Sequence, residues 1–543
     1  MPTSYPSRTR RPRRRRSLFV LAAVPLAVAT AAALATVPPA TGVGHAPALV
    51  RTGTGFSFTN FEPAGLKTFG VQEGGGVVGS RCPGAGPAVC YNDAGEPAIR
   101  ADEQGTFYAS SENGLGGGTE AWKSTDGGQH YTTLTSPNAG SSTNNTGFAP
   151  AGGDTDLAVG DDAGTGGFVP LYVASLNLAN VAVSHSTDGG ASFTLQPAAA
   201  KMAGDDREWI AADDSHQSPL GLPLEGGDKV CISYHDTVQN ISVDCDYNGG
   251  LAFPQHGSAI DASHAPYLVA NNAIGNLAIA RDTIEGDHTA GNHNLYQIFA
   301  GPTDVAGDVG CGGFTCYNAV YLGVSTDGGL TFTDHLIYAN PNINVSYDHQ
   351  FPNVSVDRKG NVYAVFTDNH NMFYSFSTTR GRSWKGPYRI NSRPANTAIF
   401  PWGVAGNAGA LDVVYYGTSH NPAPGQTPDN YPASAAWHVY LAQDLHATTV
   451  GSHFTQVSAS PINHYGGVCE SGVTCTGNRD LYDDFGVAAS PLTGLASIVY
   501  TDDQHRVGNA NNPNPPGCTA ATTNTASCGH TAFATQLTGP GIY

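Results

Sequence analysis

Apolar and polar residues alternate along this chain in short runs that come two at a time around a polar turn. Paired runs occupy residues 97–110, 156–175, 208–236, 276–299, 352–368, 401–417 and 484–503. Alternation with period two predicts half-buried strands, and two such runs around a short turn predict a hairpin. The 276–299 copy is the weakest of the seven. A third apolar run follows each hairpin, as at residues 181–185, 318–324 and 438–443.

A turn motif comes next. It reads Ser124-Thr125-Asp126-Gly127-Gly128-Gln129-His130-Tyr131, and it recurs at residues 186–193 and 325–332. Degraded copies stand at 246–253 and 377–384. Aspartate accepts hydrogen bonds from its own turn, and glycine takes positive φ without steric cost. A fourth strand follows the terminal aromatic. Four-stranded units repeated around an axis make a propeller, whose blade edges stay short and protected. The expected fold is therefore all-β, a seven-bladed β-propeller of four-stranded antiparallel blades over residues 47–543. Six blades is the alternative, if 276–299 is an insertion or the ends of the chain combine into one blade. Residues 531–537 are expected to complete the last blade.

The first 46 residues change the picture. Seven arginines between Arg8 and Arg16 precede an apolar run from Leu18 to about Val37, with small residues at Ala33, Ala35 and Ala40. That pattern predicts a signal peptide and a secreted protein, with no membrane anchor after cleavage. The formal charge is −19. Without the seven leader arginines it falls to roughly −26, which repels nucleic acid and anionic membrane. The 10 cysteines form five close pairs: Cys82/Cys90, Cys231/Cys245, Cys311/Cys316, Cys469/Cys475 and Cys518/Cys528. An even count in an exported chain predicts disulfides, and local pairing is the economical arrangement.

Loops entering the inner strands and leaving the second strands share one face of a propeller. Glu96, Asp154, Asp156, Asp206, Arg207, Glu208, Asp348, His349, Trp402, Arg479, Tyr482, Asp483 and Asp484 stand at entries, and Glu112, Asp236 and Asp368 at exits. Paired carboxyls beside arginine suit glycoside hydrolysis, where one donates a proton and another stabilises the cationic centre. Asp206, Arg207, Glu208, His349, Arg479 and Asp483 are the catalytic candidates. Glu96, Asp156, Asp236, Asp368, Trp402 and Tyr482 are the substrate-binding ones. The same oxygens suit Ca²⁺, the one cofactor the pattern admits. Asp236, Asp368 and Asp502 recur at matching repeat positions, so a turn-capping role stands beside the functional one.

The turn motif resembles the Asp-box, or BNR repeat, of sialidase-like propellers. In that family the box is structural and lies away from the active site. The resemblance implies a sialidase-like hydrolase acting on an extracellular glycan or glycoprotein as a monomer. It also implies an F/Y-R-I-P motif whose Arg binds the sialate carboxylate. Laid onto this chain, Pro97-Ala98-Ile99 match, and the Arg position falls on Gly95. A non-catalytic propeller that binds glycan, protein or calcium, or serves in adhesion, remains the alternative.

Overall fold

A computed structural model describes residues 48–65, 67–68, 90–92, 94–113, 118–138, 152–160, 167–177, 180–203, 206–213, 228–269, 271–280, 294–303, 317–472, 475–504 and 528–543. The leader expected over 1–46 lies outside them.

The architecture is a seven-bladed β-propeller. The inner strands are Gly95–Ala101, Thr155–Val159, Asp206–Asp213, Ala273–Ile279, Asn353–Val356, Thr397–Ala405 and Gly486–Ala489, numbered here as blades 1 to 7. Each inner strand packs against the next, and that of blade 7 packs against that of blade 1, which closes the ring. Blades 1 to 6 are four-stranded and antiparallel in sequence order. The weak hairpin at 276–299 is a full blade 4, Ala273–Ile279 paired with Leu295–Gly301, so the six-bladed alternative falls.

Blade 7 departs from the expectation. His530–Thr538 is its third strand, paired with Ala496–Asp502. The fourth strand is Ser57–Phe61 from the other end of the chain, and Ala48–Arg51 adds a fifth. First and last parts of the chain thus share one sheet, and ring closure is held by main-chain hydrogen bonds. Apolar packing reinforces the seam between blades 7 and 1. Ile99, Phe107, Trp122, Val499 and Phe533 are all buried there. Burying one such side chain contributes about 1.5–3 kcal/mol.

The repeated turns join third to fourth strands in blades 1 to 5, away from the inner strands. In blade 2, Asp188 Oδ1 accepts from Ser186 Oγ (2.8 Å) and Ser192 N (2.9 Å), and Asp188 Oδ2 accepts from Ser192 Oγ (2.6 Å). The second glycine has a further duty. Gly190 has φ +83°, and a Cβ there would lie 2.6 Å from Leu134 of blade 1. Gly128 of blade 1 is placed the same way against Thr535 of blade 7, and Gly329 of blade 4 against Cys245 of blade 3. Each turn therefore docks on the preceding blade. Tyr131, the aromatic that ends the first motif, follows suit by stacking on Phe533 of blade 7 at 3.9 Å between ring centres.

Among the described residues, two local disulfides are complete. Cys231–Cys245 links directly opposed residues of the second and third strands of blade 3, and Cys469–Cys475 closes a loop after blade 6. The other three expected pairs each include a residue outside the described set.

Four inner strands are interrupted at their first turns by the same irregularity. Glu96-Pro97, Arg207-Glu208, Gly275-Asn276 and Phe400-Pro401 each set two residues opposite one on the neighbouring strand. Such a bulge bends the strand and re-aims a side chain. Glu96, Arg207 and Phe400 take positive φ there (46°, 48° and 58°), a conformation disfavoured outside glycine.

If the turns dock blade on blade, Gly190→Ala will destabilise more than Asp188→Ala. The first adds a left-handed strain of about 1–2 kcal/mol and a clash with Leu134. The second removes hydrogen bonds in an exposed turn, worth about 1 kcal/mol. Thermal unfolding of both variants checks this, and a reversed order would refute the docking role.

Candidate functional site

The bulges open onto the end of the ring where the inner strands begin. Glu96 from blade 1 and Arg207 from blade 3 meet there under the loop that leads into blade 7. Arg207 is almost fully buried and pairs with Asp484 through Nη2. Its Nη1 lies 3.7 Å from Glu96 Oε2 and 3.9 Å from Asp154 Oδ2. Its guanidinium also covers the Trp209 ring at 4.1 Å and faces Phe351 at 5.3 Å. Arg479 Nη2 bridges Glu96 Oε1 (3.2 Å) and Asp483 Oδ2 (2.7 Å). Glu112, at the end of the second strand of blade 1, completes the group. Carboxylate oxygens of Glu96, Glu112 and Asp154 lie within 4.8 Å of one another.

Six carboxyls, those of Glu96, Glu112, Asp154, Asp206, Asp483 and Asp484, thus surround two guanidiniums. Like charges at this range cannot all stay ionised. Burial, with Asp154 beside it, pushes Glu112 up to about 8. Burial pushes Asp484 up to about 7, against the opposing pull of Arg207. Burial and the charges of Asp154 and Glu112 raise Glu96 far above the usual carboxylate range. Asp206 is also raised, by desolvation and by Asp154. Both arginines hold their protons more firmly than usual. Burial opposes their charge, but Asp484 and Asp154 outweigh it at Arg207, and Asp483 and Glu96 at Arg479. The arrangement can donate a proton at neutral pH and stabilise positive charge next to the donor.

The expected site residues divide. Asp206, Arg207, Arg479, Asp483 and Glu96 come together in this mouth. Glu208 is fully buried beside Arg207, and its charge acts on that guanidinium. Tyr482 packs its ring on Gly95, where a Cβ would lie 2.5 Å away. His349 lies in the loop before blade 5, with Nδ1 2.8 Å from Glu470 Oε2. Burial disfavours the charged ring, but Glu470 outweighs it and the His349 pKa is raised.

Three expected substrate-binding aspartates have structural work instead. Asp156 accepts from Arg100 of blade 1 (2.8 Å), from its neighbour Leu157 N (2.8 Å) and from Ile210 N of blade 3 (3.1 Å), tying three blades. Asp236 accepts from Val238 N, Asn240 N and Ser242 Oγ. Asp368 accepts from His370 N and Asn371 N. Both cap the turns that follow second strands.

Trp402 is buried as well. Its ring meets that of Trp209 at 5.5 Å with the planes tilted by 36°, and Arg100 lies over it at 5.0 Å. The series Arg207–Trp209–Trp402–Arg100 runs down the channel. Below it is a cavity of about 430 Å³ lined by all seven inner strands, Trp402 and Arg100 included. Glu112 and Asp154 had a sequence signal, their places at a strand exit and a strand entry. Glu470 had none, because it reaches the mouth from a loop.

No protein-family model matches the chain, and no curated protein matches it in sequence. Solved structures do match in shape. An α-L-arabinofuranosidase from Fusarium graminearum is 10% identical with a TM-score of 0.41, covering 88% of this chain and 98% of that one. A xyloglucanase from Xanthomonas campestris is 14% identical with a TM-score of 0.43, covering 82% and 52%. A lectin from Aleuria aurantia is 11% identical with a TM-score of 0.37, covering 68% and 97%. Similarity this low carries no information about chemistry.

The raised carboxyls make a stability prediction. Glu112 and Asp484 bind protons more tightly folded than unfolded, so their contribution is complete below the ordinary carboxylate range. It is lost as pH rises through about 7 and 8. The unfolding temperature is therefore expected to fall by several degrees from about pH 6 to about pH 8.5. Glu112→Gln should flatten that slope, and an unchanged slope in calorimetry would contradict the assignment.

Proposed function

We propose that the protein is an exported glycoside hydrolase whose reaction takes place at this acidic mouth. The single observation that carries the reading is the close Glu112–Asp154 pair beside Arg207. Glu112, half-buried and protonated at neutral pH, donates its proton to the departing glycosidic oxygen. Asp154, with a guanidinium as counter-charge, attacks the anomeric carbon. Carboxyls this close, rather than about 6.5–9.5 Å apart, belong with the retaining mechanism, in which a glycosyl–enzyme ester forms and water then releases the sugar. Glu112 as a carboxylate activates that water. Trp209 and Trp402 close the floor of the mouth, which favours a chain end over the middle of a polysaccharide. The two disulfides and the arginine-rich start of the chain support export to an oxidising compartment.

The Asp-box likeness raises a sialidase-type substrate. The local charge speaks for a neutral sugar instead. Both mouth arginines already pair with carboxylates, and the Tyr482 ring fills the space that a side chain on Gly95 would need. Bidentate recognition of a sialate carboxylate needs a free guanidinium fork.

A second reading rests on the three carboxylate oxygens within 4.8 Å of one another, which suit Ca²⁺ in a binding module. A panel of neutral glycosides and one sialoside separates the readings, run with and without Ca²⁺. Turnover of a neutral glycoside is expected, with retained anomeric configuration by NMR and an alkaline limb near pH 8. Glu112→Gln should lower kcat/KM by about 10²–10⁴-fold. Full activity in that variant would sink the assignment. Tight calcium binding with no turnover anywhere on the panel would favour the binding module.

A further inference from the structure

We propose that His464, outside the mouth, is a positioning residue that holds the mouth's Arg479–Asp484 wall as a buried cation. The proposal rests on the reading of the mouth as an active site. It concerns how that site is held and when it loosens.

His464 lies on the last strand of blade 6, Thr455–Tyr465, and is fully buried. Its Nδ1 is 2.7 Å from Asp503 Oδ2, and its Nε2 is 2.9 Å from the Gly467 carbonyl oxygen. A carbonyl can only accept. Asp503 also accepts from Gln504 Nε2 through its other oxygen (2.6 Å), which leaves Oδ2 to the ring. Both ring nitrogens therefore donate, and only the imidazolium has two N–H groups. The charged groups that face the ring are Asp503, at the end of the second strand of blade 7, and Asp480, in the loop. The third strand of blade 6 brings Trp437 alongside, which carries no charge.

These contacts grip both ends of one segment. Gly467 starts it and Asp480 stands near its end. Between and just after them come Glu470, the partner of His349, then Arg479, Tyr482, Asp483 and Asp484. The Cys469–Cys475 disulfide shortens the segment, and Cys469 N donates to Asn478 O (2.8 Å) beside Arg479. Asn478 Nδ2 in turn donates to Asp429 O (3.0 Å). Losing the His464 charge would leave one buried acceptor without a donor and the buried Asp503 and Asp480 side chains without a cation beside them. Both penalties fall on the segment that carries half of the mouth.

The sign follows from the environment. Burial opposes the charged ring, but Asp503, Gly467 and Asp480 outweigh it, so the folded pKa is raised. Its contribution is complete below the ordinary histidine value near 6.5 and is lost as pH rises through the higher folded one.

The test is hydrogen exchange of the peptide spanning residues 466–484 in the full-length protein, corrected for the intrinsic pH dependence of exchange. In the unsubstituted protein, protection of this peptide should fall with rising pH more steeply than that of the blade 4 strands. In His464→Gln, the peptide should exchange about tenfold faster already at about pH 6, and kcat/KM should fall about tenfold there. Asp503→Asn, which keeps the shape of the partner without its charge, should loosen the same peptide should His464→Gln not fold. Exchange in the folded variant equal to the parent at every pH would overturn the proposal. So would protection in the parent that does not change with pH. The glycoside panel decides the active-site reading by itself, so the two can fail separately.

Discussion

Seven sheets can close into a ring only if their inner strands converge, and convergence forces whatever stands at the strand ends into one small volume. In this chain those ends carry carboxylates. Glu96, Asp154, Asp206 and Asp484 are distant in sequence, yet the ring leaves them within reach of a single buried guanidinium. Arg207 pairs with Asp484, 277 residues away, and approaches Glu96 of blade 1 and Asp154 of blade 2. One cation thus joins the strand ends of four blades. It cannot neutralise all of its neighbours, even with Arg479 beside it. Burial first, and the excess of negative charge after it, favour protons on these carboxyls, and so the raised carboxyls are a consequence of the architecture rather than of any one local contact.

The architecture also needs its strand starts to be irregular. A regular inner strand would turn alternate side chains toward the neighbouring sheets. The two-for-one bulges at Glu96-Pro97 and Arg207-Glu208 break that alternation where the strands enter the mouth. Positive φ at Glu96 and Arg207 is tolerated because buried ion pairs on both side chains hold the backbone there. Strain of this kind concentrates at functional sites, and here it coincides with the perturbed carboxyls.

Much of the fold was legible because its signals are local. The period-two pairs located all seven inner hairpins, and the Ser-Thr-Asp-Gly-Gly turns located third-to-fourth strand corners. Closure was not legible. Ser57–Phe61 pairs with His530–Thr538 over more than 470 residues, and no local pattern announces such a partner. The site was legible in part for the same reason. Asp206, Arg207, Arg479 and Asp483 stood out because they break the repeat. Asp236 and Asp368 looked equally acidic, but they sit at a repeated corner and their oxygens are spent on their own turns. Asp156 shows the limit more sharply. Its position is right for the mouth, yet its carboxylate faces Arg100 and the blade 3 backbone, a difference of side-chain direction that spacing cannot reveal.

Gly95 shows how far likeness of repeats can be carried toward function. The repeated corners lie on the outer strands, where they dock one blade on the next, and that task is indifferent to what happens at the mouth. A chain can therefore keep the corners while the mouth is rebuilt. Tyr482 lies against Gly95, so the position where the resemblance expects an arginine cannot hold one without displacing that ring. The remaining arginines are engaged by Asp484, Glu96 and Asp483. Arg207 covers Trp209, Trp209 meets Trp402, and Trp402 and Arg100 line the cavity in the channel. On the reading proposed above, the carboxylates of the mouth would favour a neutral, hydroxyl-rich ligand over an anion.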